Sequence, residues 1–539
     1  MSNKLQIQRF SELPPPPVRE LNAGEGTKYL TDESRYQGTA TALALPRSSE
    51  QVASVLAENR RTGTPTTVSA ARTGITAGAV PQGGMVLNLE KMDSITGIVK
   101  DKDGVFCVQC QAGVTLRDLK KSVRSGTFAE AAHWSRESRE HLEEIKQRRL
   151  FYPPDPTETT ATIGGTVACD ASGAHSFAYG ATRPYVARIR VVLPDGNYID
   201  LPRGTCFADR NGVFKLVAPD GTEQETKVPR YKQPPTKNAG GYYSGPGMDL
   251  IDLFIGSEGT LGVITEVDLR LTEAPEKSCA VVTFWQTEQQ AVDFIEAIRR
   301  DRDHIGLEAA EFFGPNALSL LRRRREELGE TSGVPESLPD HANAANYLDI
   351  GTTSADEYAS LDAVAAKVHN FNGRAEHCWF AGTRADRERL RLFRHALPET
   401  VNDRIGTVQK RFPSLTKLGT DMAVPDEHLR DILRQYRRAL DSTGLQYVIF
   451  GHIGDNHLHI NILPQTPEEY ELGKKIYWDF AHTVVNMNGS VAAEHGIGKL
   501  KKDFLRIMLG DEGIREIAAV KRVFDPAMLL GRQTLVSAE

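Results

Sequence analysis

The sequence predicts an α+β protein of two domains, and three observations carry that prediction. Residues 42–274 are strand-rich and punctuated by glycine. Beyond Ala274, helical and strand-like segments alternate with few glycines. The chain of 539 residues is 40% apolar and 25% charged, with 46 glycines, which is globular composition and enough material for more than one core. Residues 1–40 read as an N-terminal arm, because Pro14–Pro17 favour extended polyproline geometry.

From Ala42 onward the elements follow from local chemistry. ALALP reads as a short strand. Ser48–Ser49 caps a helix over QVASVLAENRR, which ends at Gly63. TPTTV and MVLNL are the next strands, joined by the loop SAARTGITAGAVPQGG. SITGIV and VFCVQCQAGV extend the strand series, and a helix starts near Leu116. Residues 134–150 form a charged helical insertion in which Glu144 and Arg148 are spaced i,i+4. A solvated surface helix is the simpler reading there, a lid or docking element the alternative. The run Arg322–Arg325 is followed at once by acids and reads as a solvated helix face.

Composition excludes several classes. A net charge of −6 gives no cationic field for nucleic acid. No uncharged apolar run approaches the roughly 18 residues of a membrane span. The first twenty residues lack the apolar core of a secretory signal. Six cysteines in so long a chain are no disulfide scaffold, and Cys107 and Cys110 point to opposite faces of one strand. Reduced thiols and a cytoplasmic location are expected.

The common nucleotide fingerprints G-x-G-x-x-G and G-x-x-x-x-G-K-S/T are absent. Three other glycine-rich segments could bind phosphate through backbone N–H groups: Ser69–Ala79, the stretch from Pro153 through Thr162-Ile-Gly-Gly165 and Asp170-Ala-Ser-Gly173 to Gly180, and Ile255–Glu266. In their order and spacing they resemble the FAD-binding domain of the vanillyl-alcohol-oxidase/PCMH flavoproteins. The resemblance implies a PCMH-type FAD-binding domain of two subdomains over 41–274. It implies FAD contacts at Ala71, Arg72, Thr73, Gly74, Thr76, Thr162, Gly164, Gly165, Ser172, Gly173, Gly262, Val263 and Ile264. Ala70-Ala71-Arg72 stands where that family usually has a glycine triplet, so Arg72 either pairs with a phosphate or crowds it. No histidine suits a covalent flavin link, so non-covalent FAD is expected.

The strongest signal lies near the C-terminus. In Gly451-His-Ile-Gly-Asp-Asn-His-Leu-His459-Ile-Asn461, His457, His459 and Asn461 recur at period two, which puts them on one face of a strand. Downstream, Glu494 sits beside His495. His452, His459 and Glu494 offer two nitrogens and one oxygen, a set suited to a catalytic divalent metal with open positions. These segments resemble the C-terminal domain of FAD-linked 2-hydroxy-acid dehydrogenases of the D-lactate, glycolate and D-2-hydroxyglutarate type.

That resemblance covers residues 40–530. It implies an α+β substrate-binding cap with an antiparallel sheet over 275–505, and a segment 506–539 that returns to the FAD domain. His452, His459 and Glu494 become metal ligands for Zn or Mn/Fe, and His495 the base. Asn461 touches substrate and Arg394 holds its carboxylate. Lys417 joins them as a catalytic candidate, and Lys237 matches a lysine near the flavin. The implied reaction is FAD- and metal-dependent oxidation of a D-2-hydroxy acid to the 2-oxo acid, with O2, a quinone, a cytochrome or a partner subunit taking the electrons. An alkylglycerone-phosphate-synthase-like transferase is the alternative. Peripheral association with the inner membrane and a homodimer stay open. Asn456 and His457 replace the family's Gly-Asn, which implies an altered polar lining.

Overall fold

The computed structural model describes residues 2–22, 24, 26–335 and 338–537. Strands Val18–Glu20, Ala42–Ala44, Met85–Asn88 and Thr66–Ser69 form a four-stranded sheet in that order, the last three parallel. Helix Ser49–Thr62 provides the crossover. Ser48 accepts a hydrogen bond from the Gln51 N–H at its start, and Gly63 ends it at φ 70°. Its face of Val52, Ala53, Val55 and Leu56 is buried against the sheet.

A second, antiparallel sheet has the order Tyr198–Pro202, Val186–Val192, Val263–Arg270, Phe106–Gln111, Ile95–Lys100. Cys107 and Cys110 lie buried on its fourth strand, and all six cysteines are free. The segment read as an arm is stitched in twice. Lys4–Gln6 runs parallel to Lys215–Val217 with Leu5 only 1% exposed, and Val18–Glu20 edges the first sheet.

The insertion is helix Arg136–Lys146, capped by Ser135. It lies on the edge strand Ile95–Lys100, where Ser138 Oγ accepts the Ile98 N–H at 2.7 Å and Trp134 donates to the Ile95 carbonyl at 3.0 Å. The expected Glu144–Arg148 pair does not form. Glu144 takes Lys100 at 2.8 Å instead, and Arg148 pairs with Glu273, because the sheet edge offers partners the helix alone does not.

The second domain is a seven-stranded antiparallel sheet in the order Trp379–Ala381, Lys277–Trp285, Ala344–Thr352, Leu307–Phe313, Tyr447–His452, His457–Ile462, Leu418–Gly419. The arginine run lies on helix Pro315–Leu328 and is not simply solvated. Arg322, Arg324 and Arg325 donate to carbonyls of the loop 329–342, which leaves only Arg323 facing water. Helix Lys502–Phe524, broken at Gly510 (φ 69°), carries the chain back to the first domain. There Lys521, 1% exposed, donates to the carbonyls of Thr260 and Leu530, and Phe524 packs on Phe254. Among the described residues no helix is long and apolar enough to cross a membrane.

Candidate active site

The site forms where a hairpin of the second domain meets the glycine loops of the first. Tyr447–His452 and His457–Ile462 pair with His452 opposite His457, Phe450 opposite His459 and Val448 opposite Asn461. The connecting turn places Asn456 at φ 52°. Asparagine tolerates this left-handed conformation better than most residues, which is why it serves where the family pattern has glycine. Its side chain points out of the site, accepting from Arg299 at 2.6 Å and donating to Asp426 at 2.7 Å. The change of lining expected from Asn456 therefore does not arise; the one from His457 does.

His452, His457, His459 and Glu494 each offer a ligand atom, and these atoms all lie within 4.8 Å of one another. Glu494 is the hub. Its carboxylate oxygens lie 3.5 Å from His452 Nε2, 3.8 Å from His457 Nδ1 and 3.6 Å from His459 Nε2. Ligands about 2.1 Å from one ion sit roughly 3–4 Å apart, so the spacing suits a metal. Lys237, 7% exposed at its side chain, reaches the same carboxylate at 2.9 Å from the first domain. Burial disfavours charge on Glu494, but Lys237, His452 and His457 outweigh it and hold the carboxyl well below its usual range.

Each ring is also held from outside. His452 Nδ1 meets Glu311 at 2.7 Å, and His459 Nδ1 meets the Thr420 carbonyl at 3.1 Å. Burial works against charge on His452, yet Glu311 and Glu494 raise it to about 9. Burial, with His457 beside it, pushes His459 well below the imidazole range. Glu311 is shared with Arg394 at 2.9 Å, and despite its burial these cations take its carboxyl down to about 2. Arg394 thus stands one carboxylate from the cluster, on helix Arg384–Gln409. Pro398 within that helix cannot donate to the Arg394 carbonyl one turn back.

His495 lies beside the cluster with its side chain 32% exposed. Its Nε2 is 3.4 Å from Glu494 and its Nδ1 3.4 Å from Asp421. Asp421 is 1% exposed and also accepts the backbone N–H groups of Glu494 and His495, each at 3.1 Å, and Lys501 Nζ at 2.7 Å. Burial disfavours its charge, but His495 and Lys501 hold Asp421 well below the carboxylate range. Asn461 is buried on the same strand face as His459. Lys417 is not brought to the cluster. It is exposed and donates to Asn402 at 2.9 Å, because the short strand after it turns its side chain to the rim.

The glycine loops converge on the same place. Ala71, Arg72, Thr73, Gly74 and Thr76 lie in the loop between strands Thr66–Ser69 and Met85–Asn88. Thr162 precedes the short helix Ile163–Ala168, which contains Gly164 and Gly165. Ser172 and Gly173 follow it, and Gly262 leads into the strand that begins Val263-Ile264. Glu258 ties these parts together. Its backbone N–H reaches Ala168 at 2.8 Å, and its carboxylate accepts from the N–H groups of Ile497 and Gly498 at 2.8 and 2.7 Å. Lys499 closes the other side, its backbone N–H donating to the Thr76 carbonyl at 2.9 Å and its Nζ to that of Gly78 at 2.9 Å. A Cβ on Gly498 would lie 2.1 Å from the Thr76 oxygen, so only glycine permits this approach.

The loops fit a flavin nucleotide. Ser172 Oγ is buried with no hydrogen-bond partner among the described residues. Arg72 and Ala77 are left-handed (φ 62° and 59°), and such kinks turn successive N–H groups toward a common anion. Arg72 does not crowd the loop. Its guanidinium lies over the Tyr29 ring and 3.8 Å from Glu90.

Sequence reasoning did not assign Glu311, Asp421, Asp455 or His175. His175 Nε2 reaches Asp349 of the second domain at 3.3 Å while its Nδ1 binds Asp155, and Ser176 donates to Asp455 at 2.6 Å. Burial disfavours its charge, but the two aspartates raise His175 well above the usual imidazole value.

Comparison with known proteins finds two family models along the chain. Residues 40–136 and 140–202 match the family model described as "FAD binding domain". Residues 274–534 match "FAD linked oxidases, C-terminal domain". The chain is 28% identical to a D-lactate dehydrogenase of Anaerostipes hadrus, over 97% of this chain and 95% of that one. It is also 28% identical to a D-2-hydroxyglutarate dehydrogenase of Stutzerimonas stutzeri, over 98% and 97%. A solved alkyldihydroxyacetonephosphate synthase superposes with a TM-score of 0.58 at 13% identity, over 98% of this chain and 89% of that one, a likeness of fold alone.

Proposed function

Because this chain carries both domains of the FAD-linked oxidases and belongs to that family, we propose that it is an FAD-linked dehydrogenase. It oxidises a D-2-hydroxy acid of the lactate, glycolate or 2-hydroxyglutarate type to the 2-oxo acid, with non-covalently bound FAD and a divalent metal. One observation carries the reading. The segment Glu494–Lys499 is hydrogen-bonded to the loop Thr76–Gly78, so the His/Glu cluster lies against the flavin cradle. When bound, FAD would supply a hydride acceptor, and a metal held by His452, His459 and Glu494 would supply Lewis-acid chemistry at the substrate's hydroxyl.

The protein's own groups supply the rest. His495 takes the hydroxyl proton as general base, with Asp421 fixing its ring from the Nδ1 side. Arg394 offers a planar fork to the substrate carboxylate, and Glu311 holds that fork in place. Asn461 completes the lining. Hydride transfer needs the reacting atoms in near contact, and the hydrogen bonds of Glu258 and Lys499 keep the two domains together for it. The electrons then leave to an external acceptor.

Anaerobic mixing of the purified yellow protein with D- and L-2-hydroxy acids tests this directly. Bleaching of the flavin by one or more D-acids and not by their L-enantiomers is expected. A flavin that no 2-hydroxy acid reduces would overturn the assignment.

A further inference from the structure

The cluster holds one imidazole more than the family pattern supplies. We propose that His457, through Nδ1, is a fourth protein ligand of the divalent ion held by His452, His459 and Glu494. The resulting set of three nitrogens and one oxygen selects a nitrogen-preferring transition ion such as Zn2+ or Co2+ over Mg2+ and Mn2+. This rests on the metal reading above and deepens it.

Three observations carry it. His457 is 0% exposed, and its Nδ1 has no hydrogen-bond partner among the described residues. Buried polar groups without partners are rare in folded proteins and call for an explanation such as an ion. Second, His457 offers a ligand atom to a group with His452, His459 and Glu494 whose ligand atoms all lie within 4.8 Å of one another. Third, the three rings share one arrangement. Each turns one nitrogen toward Glu494, at 3.5, 3.8 and 3.6 Å for His452, His457 and His459. Each has an outward nitrogen beside an oxygen: Glu311 for His452, the Thr420 carbonyl for His459, and Asp421 at 3.2 Å for His457. An outer oxygen that orients the ring is the usual companion of a metal-bound histidine.

The strand explains how the third ring arrives. His457 and His459 are two residues apart on one face, and His457 lies opposite His452 across the hairpin. The chemistry then follows by counting. A six-coordinate ion with four protein ligands keeps two positions, the number a 2-hydroxy acid fills with its hydroxyl and carboxylate oxygens. Imidazole donors favour Zn2+, Co2+ or Ni2+ over the ions that prefer an all-oxygen shell.

The test uses FAD-loaded protein stripped of metal, with Zn2+ and Mn2+ affinities measured by chelator competition. His457→Asn restores the family's residue and is compared with wild type at equal flavin content and thermal midpoint. The variant should bind Zn2+ about 10–100-fold more weakly and lose most of its preference for Zn2+ over Mn2+. Equal Zn2+ affinity in variant and wild type would overturn the proposal while leaving the metal reading intact. No metal bound by wild type would overturn both. A measurement on wild type alone guards against a variant that fails to fold. Co2+-loaded protein should show three strongly shifted imidazole N–H resonances, one for each ligating ring, and only two would overturn the proposal.

Discussion

Around the flavin cradle the contacts of Glu258, Lys499 and Gly498 end on backbone atoms, whereas around the hairpin of the second domain ionisable side chains meet one another. In the cradle, a Cβ on Gly173 would lie 2.1 Å from the Asp155 carbonyl oxygen, so volume is what that region cannot accept. Around the hairpin, Glu494, Glu311 and Asp421 are all at least nine-tenths buried and each meets at least two cationic or imidazole groups. There the side chains leave room but the charges must balance, because an unpaired buried charge is costly. The two regions should therefore fail in different ways.

The sharpest way to break this contrast is Glu494→Gln. Losing the hub carboxylate should abolish metal binding and take flavin reduction to the detection limit in stopped flow, while FAD stays stoichiometric. It also leaves Lys237 buried without its nearest carboxylate, so stability should drop by about 3–5 kcal/mol. If FAD were lost along with the metal, the two regions would not be separable. Next in size, His495→Asn should slow flavin reduction by roughly 10²–10⁴, the usual share of a positioned base, with metal and FAD both retained. An unchanged reduction rate would remove His495 from that role.

Gly173→Ala tests the other region. The added methyl meets backbone, so unfolding in urea should show a loss of about 1–3 kcal/mol, with reduced flavin content and unaltered metal affinity. The smallest effect concerns the seam between the domains. Because the folded value of His175 is raised, its contribution is complete below about pH 6.5 and fades as pH rises through the folded value. His175→Asn should therefore lower the urea midpoint most at pH 5.5–6.5, and the gap to wild type should narrow toward alkaline pH. A gap that widens with pH would mean the aspartates do not hold a charged imidazole.

How much of this was legible depended on distance along the chain. The Ser48 cap and the Gly63 stop act within one helix and could be read directly. The period-two histidines were visible because a strand alternates whether or not its partners are known. Glu311 carried no such signal. It reaches His452 only because Leu307–Phe313 pairs with Tyr447–His452 with Phe312 opposite Gly451, a register no local pattern specifies. The pairing of Glu144 with Lys100 was hidden for the same reason, since the better partner lies on a strand distant in sequence. Lys417 shows the reverse case. A resemblance in sequence placed it in the catalytic set, and in the structure its ammonium donates to Asn402, away from the cluster.

The return of the last helix to the first domain has a consequence for biosynthesis. Thr66, in the sheet beside the flavin loop, donates its N–H to Leu529 at 2.9 Å, and Leu535 donates to Gly498 at 3.0 Å. A nascent chain thus cannot complete the cradle until residues 529–535, made long after Thr66, have left the ribosome. At 5–20 residues per second the interval is roughly tens of seconds. Flavin capture therefore waits for that segment, and the half-built sheet edge at Thr66 stays open until Leu529 arrives to cover it.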